Sequence, residues 1–225
     1  MSWNQCLYQY HQKCGGQYLG GRENDGLLVL TWKGQPLAVD LFLVSGARSG
    51  ALEHVRARIP VTLPKPYRLT IGAERALSGG VNTVLKTMPA LSGYDALPAD
   101  FGFPEVTKKR LIRSNNHAFT KLVLGSLEFR NALAACPEEK LELLPGLGED
   151  GLHLLTVTTA APVTGGAFGG DGGWYLAGDY DPFVPDSQAE NARIARTIEA
   201  EFVPRMDHFL NLCRAAWDAV TQWPI

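Results

Sequence analysis

A chain of 225 residues, 45% of them apolar, is long enough to bury a real core and too apolar to stay disordered. Its 21 basic and 23 acidic residues nearly cancel, which argues against a dedicated nucleic-acid binder, because phosphate neutralisation supplies most of the affinity of such proteins. No apolar run reaches 18 residues, so no membrane span is expected, and the four scattered cysteines (Cys6, Cys14, Cys136, Cys213) form no CxxC pair and read as reduced thiols, not as a zinc site.

The opening MSWNQCLYQYHQK has neither a basic start nor an apolar segment, so it does not read as a signal peptide, and a cytoplasmic protein is expected. Residues 1–26 form a polar and aromatic N-terminal segment with a short helix around Gln5 to Gln12. The period then changes to two. Leu28, Leu30 and Trp32 alternate along one strand, Lys33-Gly34-Gln35-Pro36 is a turn, and Leu37, Val39, Leu41 and Leu43 line a second strand. A third strand over 52–61 places Val55, Ala57, Ile59 and Val61 on one face and His54, Arg56 and Arg58 on the other. A fourth turns Tyr67, Leu69 and Ile71 inward and Arg68 and Thr70 outward. One apolar face and one wet face mark an antiparallel sheet.

Residues 73–88 read as a helix weakened by Gly79-Gly80, and 89–107 as loop. A strand near 109–113 runs into Ser114-Asn115-Asn116, which are good helix-capping residues. Phe119, Leu122, Val123, Leu127 and Leu133 continue at helical spacing to about Ala135, with a break at Gly125-Ser126. A closing hairpin pairs 140–144 with 152–158.

The tail, 186–223, is the clearest helix. Ser187 and Glu190 are spaced as a capping box. Ile194, Ile198, Phe202, Met206, Phe209, Leu210, Cys213, Trp217 and Val220 recur at steps of three and four and form one stripe. Pro204 removes the hydrogen bond to the Ala200 carbonyl and predicts a bend within one continuous rod. These elements together predict a single α+β domain over 1–225: a mostly antiparallel sheet, helices packed on one face, and a long, proline-kinked C-terminal helix.

Chemistry has three candidate places. The Gly/Asp-rich loop 164–185, TGGAFGGDGGWYLAGDYDPF at its heart, lacks the Gly-Lys-Ser/Thr of a phosphate loop and the EF-hand spacing. Asp171, Trp174, Asp179 and Asp181 make it a candidate lid. Arg56, Arg58 and Arg68 share a solvent face if the third and fourth strands are neighbours, and like charges so placed call for an acid, solvent or an anionic ligand. Lys109 and Arg113, at the strand-to-helix junction, extend the set of anion-binding candidates. No HExxH, GxSxG or SxxK occurs, and the five histidines are dispersed. No catalytic residue, metal or cofactor is therefore assigned.

Four blocks, GGQYLGGRENDG, RARIPVTLPKPYRLTIG, FGFPEVTKKRLIRSNNHAFTKLVLGSLEFRNAL and LELLPGLGEDGLHLLTV, resemble in order and layout a family of uncharacterised bacterial proteins. The resemblance implies strands before a helix, a closing hairpin and a C-terminal helix, and it carries no catalytic motif. The functional expectation is a non-catalytic role in binding a partner protein or a small anionic ligand, with homo-oligomerisation through the C-terminal stripe and no nucleic-acid or membrane partner. The alternative is an enzyme whose pocket is gated by the glycine-rich loop.

Overall fold

The computed structural model describes residues 3–20, 25–46, 50–73, 93–94, 101–107, 110–146, 151–160 and 188–223. The architecture is α+β. Eight strands, in the order β1-β2-β3-β4-β8-β7-β5-β6, make an antiparallel sheet, and a long helix closes the chain. The elements are α1 (Trp3–Cys14), β1 (Gln17–Leu19), β2 (Leu27–Trp32), β3 (Gln35–Gly46), β4 (Gly50–Thr62), β5 (Leu69–Ala73), α2 (Pro104–Thr107), β6 (Arg110–Ser114), α3 (His117–Leu124), α4 (Leu127–Ala135), β7 (Lys140–Pro145) and β8 (Leu152–Thr158). After them come α5 (Gln188–Thr197), a π turn (Ile198–Phe202) and α6 (Val203–Thr221). Of the expected helix over 73–88, Ala73 is the last residue of β5 and the rest lies outside the described residues, as do the loop lid and Ser187 of the capping box.

The chain forms two compact units, Met1–Ala57 with Thr158–Asp207, and Arg58–Val157 with His208–Ile225. In the first, α1 buries Trp3, Cys6, Leu7 and Tyr10. The Trp3 ring meets Phe202 edge-on at 6.0 Å, and its indole N–H donates to the Gly26 carbonyl at 2.7 Å. The first hairpin has a tighter turn than its sequence suggests. Lys33 and Gly34 alone turn the chain, with φ of 49° and 82°, a pair of positive values that matches strand twist. Gln35 and Pro36 are already strand residues, opposite Trp32 and Thr31.

Alternation along β4 holds for the apolar side: Val55, Ala57, Ile59 and Val61 are all buried. It fails for His54, which was expected on the wet face and is buried instead. Thr159 reaches past the end of β8 to explain this. Its N–H donates to Val55 O at 3.0 Å, its hydroxyl accepts from Val55 N–H at 3.1 Å, and its carbonyl lies 2.8 Å from His54 Nδ1.

In the second unit, β5 pairs with β6 on one side and β7 on the other. Tyr67, Leu69, Ile71, Ile112, Leu141 and Leu143 supply the buried face. Asn116 caps α3 by accepting from Phe119 N–H at 3.0 Å, and Ser126 caps α4 by accepting from Phe129 N–H at 3.3 Å. The two caps convert one helical run into two helices at the expected Gly125-Ser126 break.

The C-terminal rod accommodates Pro204 by widening. Val203 N–H reaches back five residues to Ile198 O, so the turn before the proline is a π turn. Ile198, Phe202, Met206, Phe209, Leu210, Cys213 and Val220 are all buried in the single chain. Trp217 is half-buried and donates its indole N–H to Pro60 O at 3.0 Å. The stripe proposed as a dimer face is thus already occupied, and a second copy would have to meet another surface of the rod.

Candidate functional site

The three arginines do not stand on neighbouring strands, the condition on which they were expected to act together. Strand order sets β8 and β7 between β4, which carries Arg56 and Arg58, and β5, which follows Arg68. Arg56 is also answered. Its guanidinium forks onto Asp40, Nε at 2.9 Å and Nη2 at 2.7 Å, and lies 4.5 Å from the centre of the Phe42 ring. A bidentate pair of this kind satisfies the charge locally.

A different pair comes together on the outer face of β5 and β6. Tyr67, Leu69 and Ile71 are buried, so Arg68 and Thr70 point the other way. On β6, Arg110, Ile112 and Ser114 are buried, and Arg113 points outward. Thr70 sits directly opposite Arg113. Asn115 continues the ladder beyond Ser114: its side chain accepts from Arg68 N–H at 2.8 Å and its own N–H donates to Arg68 O at 3.2 Å. Arg68 and Arg113 are therefore diagonal neighbours on one face, with Cα atoms about 7–8 Å apart by sheet geometry.

Gly93 and Tyr94 lie over this pair. The Tyr94 hydroxyl is 2.8 Å from Thr70 Oγ1, and the Arg113 guanidinium carbon is 4.6 Å from the centre of its ring. Gly93, at φ +68°, packs beside Arg68; a Cβ there would come within 3.5 Å of its Nε. On the neighbouring β7, Glu142 stands opposite Thr70 and is paired with Lys140 at 2.8 Å. Among the described residues, neither Arg68 nor Arg113 has a carboxylate partner. Lys109, Asp171, Trp174, Asp179 and Asp181 lie outside the described residues.

The buried polar groups are engaged in structure. His153 accepts from Tyr67 N–H at Nε2 (3.0 Å), so its Nδ1 carries the proton and donates to Gly151 O at 2.9 Å. Both ring nitrogens of His153 are used. The Thr120 hydroxyl donates to Asn116 O at 2.8 Å and lies 2.7 Å from both Tyr67 Oη and Ser114 Oγ. Burial holds the Tyr67 phenol well above its ordinary range.

Arg110 is buried with its guanidinium donating to the carbonyls of Leu133, Cys136 and Glu139, the C-terminal end of α4 and the residues beyond. Burial lowers its pKa, and burial likewise raises that of Glu139. Tyr10 donates to Asp207 at 2.6 Å, and burial followed by this hydrogen bond raises its pKa. Among the described residues, no group of three or more His, Cys, Asp or Glu side chains is placed to hold a metal ion, and no helix is long and apolar enough to cross a membrane.

Sequence reasoning found Arg68 and Arg113 separately but missed Thr70 and Tyr94 as their companions. Thr70 was legible as an outward strand residue. Tyr94 sits in a stretch whose only local signal is Ser92-Gly93, a turn pair that says nothing about which strands it crosses. Comparison of the chain with protein-family models, with curated proteins and with solved structures finds no match in any of the three.

Proposed function

We propose that this protein is a non-catalytic binding protein that holds an anionic ligand on the outer face of β5 and β6. One observation carries the reading: Arg68 and Arg113 are diagonal on one sheet face and, among the described residues, neither meets a carboxylate, whereas Arg56 spends its fork on Asp40. Like charges placed this way repel, and an anion between them relieves the repulsion. The guanidinium carbon of Arg113 lies over the Tyr94 ring at 4.6 Å, and a ring contact of this kind is compatible with further hydrogen bonds from its five N–H donors.

Thermal unfolding with and without small multivalent anions tests the proposal. A ligand that binds only the native state raises the melting temperature. Inorganic phosphate is expected to raise it in the wild type and not in the double variant Arg68→Gln/Arg113→Gln. An equal rise in both proteins would rule the face out.

A further inference from the structure

We infer that the ligand of this face is a phosphomonoester dianion; the inference rests on the anion-binding reading above and specifies its chemistry. Charge is the first argument. Lys140 and Glu142 neutralise each other at 2.8 Å, so among the described residues the face retains the two positive charges of Arg68 and Arg113. A carboxylate monoanion is satisfied by one guanidinium fork and leaves the second arginine unanswered. A phosphomonoester carries about −1.5 to −2 at pH 7 and presents three strong acceptor oxygens, enough for both forks.

Donor placement is the second argument. Thr70 stands opposite Arg113 and two residues after Arg68 on the same strand face, and its hydroxyl and that of Tyr94 are 2.8 Å apart. One of these two hydroxyls donates to the other, which leaves one O–H beside the two guanidinium forks, and donors from three side chains suit a tetrahedral group better than a flat one. The ring contact with Tyr94 also restricts Arg113 before any ligand arrives, which lowers the side-chain entropy lost on binding.

The test is a titration followed by NMR of the arginine side-chain Nε–H signals, with phenyl phosphate, phenyl sulfate, benzoate and inorganic phosphate. The two phenyl esters share shape and differ in charge. Phenyl phosphate is expected to move the Arg68 and Arg113 signals and to bind at least about tenfold more tightly than phenyl sulfate or benzoate. Its affinity is expected to fall below pH 6, as the phosphate takes up its second proton. Inorganic phosphate binding more tightly than phenyl phosphate would overturn the ester and identify free phosphate as the ligand. Arg113→Lys keeps the charge but loses the fork and is expected to bind phenyl phosphate more weakly; Arg196→Gln on α5, which is not part of the β5–β6 face, is expected to bind it as the wild type does. Equal affinity for phenyl phosphate and phenyl sulfate would overturn the dianion while leaving anion binding standing. If no anion moves either arginine signal, both readings fall.

Discussion

Cys6, Cys136 and Cys213 are buried and Cys14 is exposed, so one side chain in four differs from the rest in access. Burial also pushes the three buried thiols up to about 12, which keeps them protonated and unreactive near neutrality. Iodoacetamide at pH 8 is therefore expected to modify Cys14 alone in the folded protein and all four cysteines in denaturant, as read by intact mass. Two modified sites in the native protein would contradict this packing.

Arg110 is the other residue with a distinct demand. Replacing it with Met removes a guanidinium that serves three backbone carbonyls near the end of α4. The expected loss is about 3 kcal/mol in urea unfolding, because the Cys136 and Glu139 carbonyls lose the guanidinium donor, while Leu133 O keeps the Cys136 N–H. Tyr67→Phe is milder, about 1 kcal/mol, since Thr120 retains Ser114 and Asn116 as partners.

Among elements, the C-terminal rod shows how a proline and a hydrophobic stripe constrain each other. Ile198, Phe202 and Met206 are spaced four and four, whereas Met206, Phe209, Cys213, Ala216 and Val220 alternate threes and fours. Eight residues of α-helix overshoot two full turns by about 80°. The π turn over Ile198–Phe202 absorbs that excess and also removes the carbonyl clash that Pro204 would create.

The two roles separate by mutation. Pro204→Ala leaves the stripe phase intact and is expected to change stability by no more than about 1 kcal/mol. Deleting the exposed Glu201 removes the extra residue, forces Pro204 into an α turn and is expected to cost about 3 kcal/mol or more in urea unfolding. That Pro204 would disturb the helical hydrogen bonding was legible from the residue alone. The form of the disturbance was not, because a four–four step also fits an ordinary helix with a broad buried face, and here Val203, Leu212, Ala215 and Ala219 are buried as well.

At the level of the whole molecule, the same thiols shape the response to alkali. In the unfolded chain they ionise near 9.0, while the fold holds their protons to about 12. The unfolded state then binds fewer protons above pH 9, so stability decreases as pH rises. The contribution is fully present below pH 9 and is lost between 9 and 12. Urea midpoints measured from pH 7 to 11 are expected to be flat at first and to fall above 9. Substituting Cys213 with Ala, which leaves two buried thiols, should make the fall shallower.

Local order belonged to the sequence. The period of two from Leu27 to Ile71 set strands and their apolar faces, Asn116 and Ser126 set helix starts, and the stripe from Ile198 to Val220 set the terminal rod, because each depends on neighbours within a few residues. Which strands lie side by side belonged to the tertiary structure. Inserting β8 and β7 between β4 and β5 separated Arg68 from Arg56 and joined it instead to Arg113 across β6. Strand pairing is decided by contacts between segments far apart in the chain, and no local pattern of side chains records them.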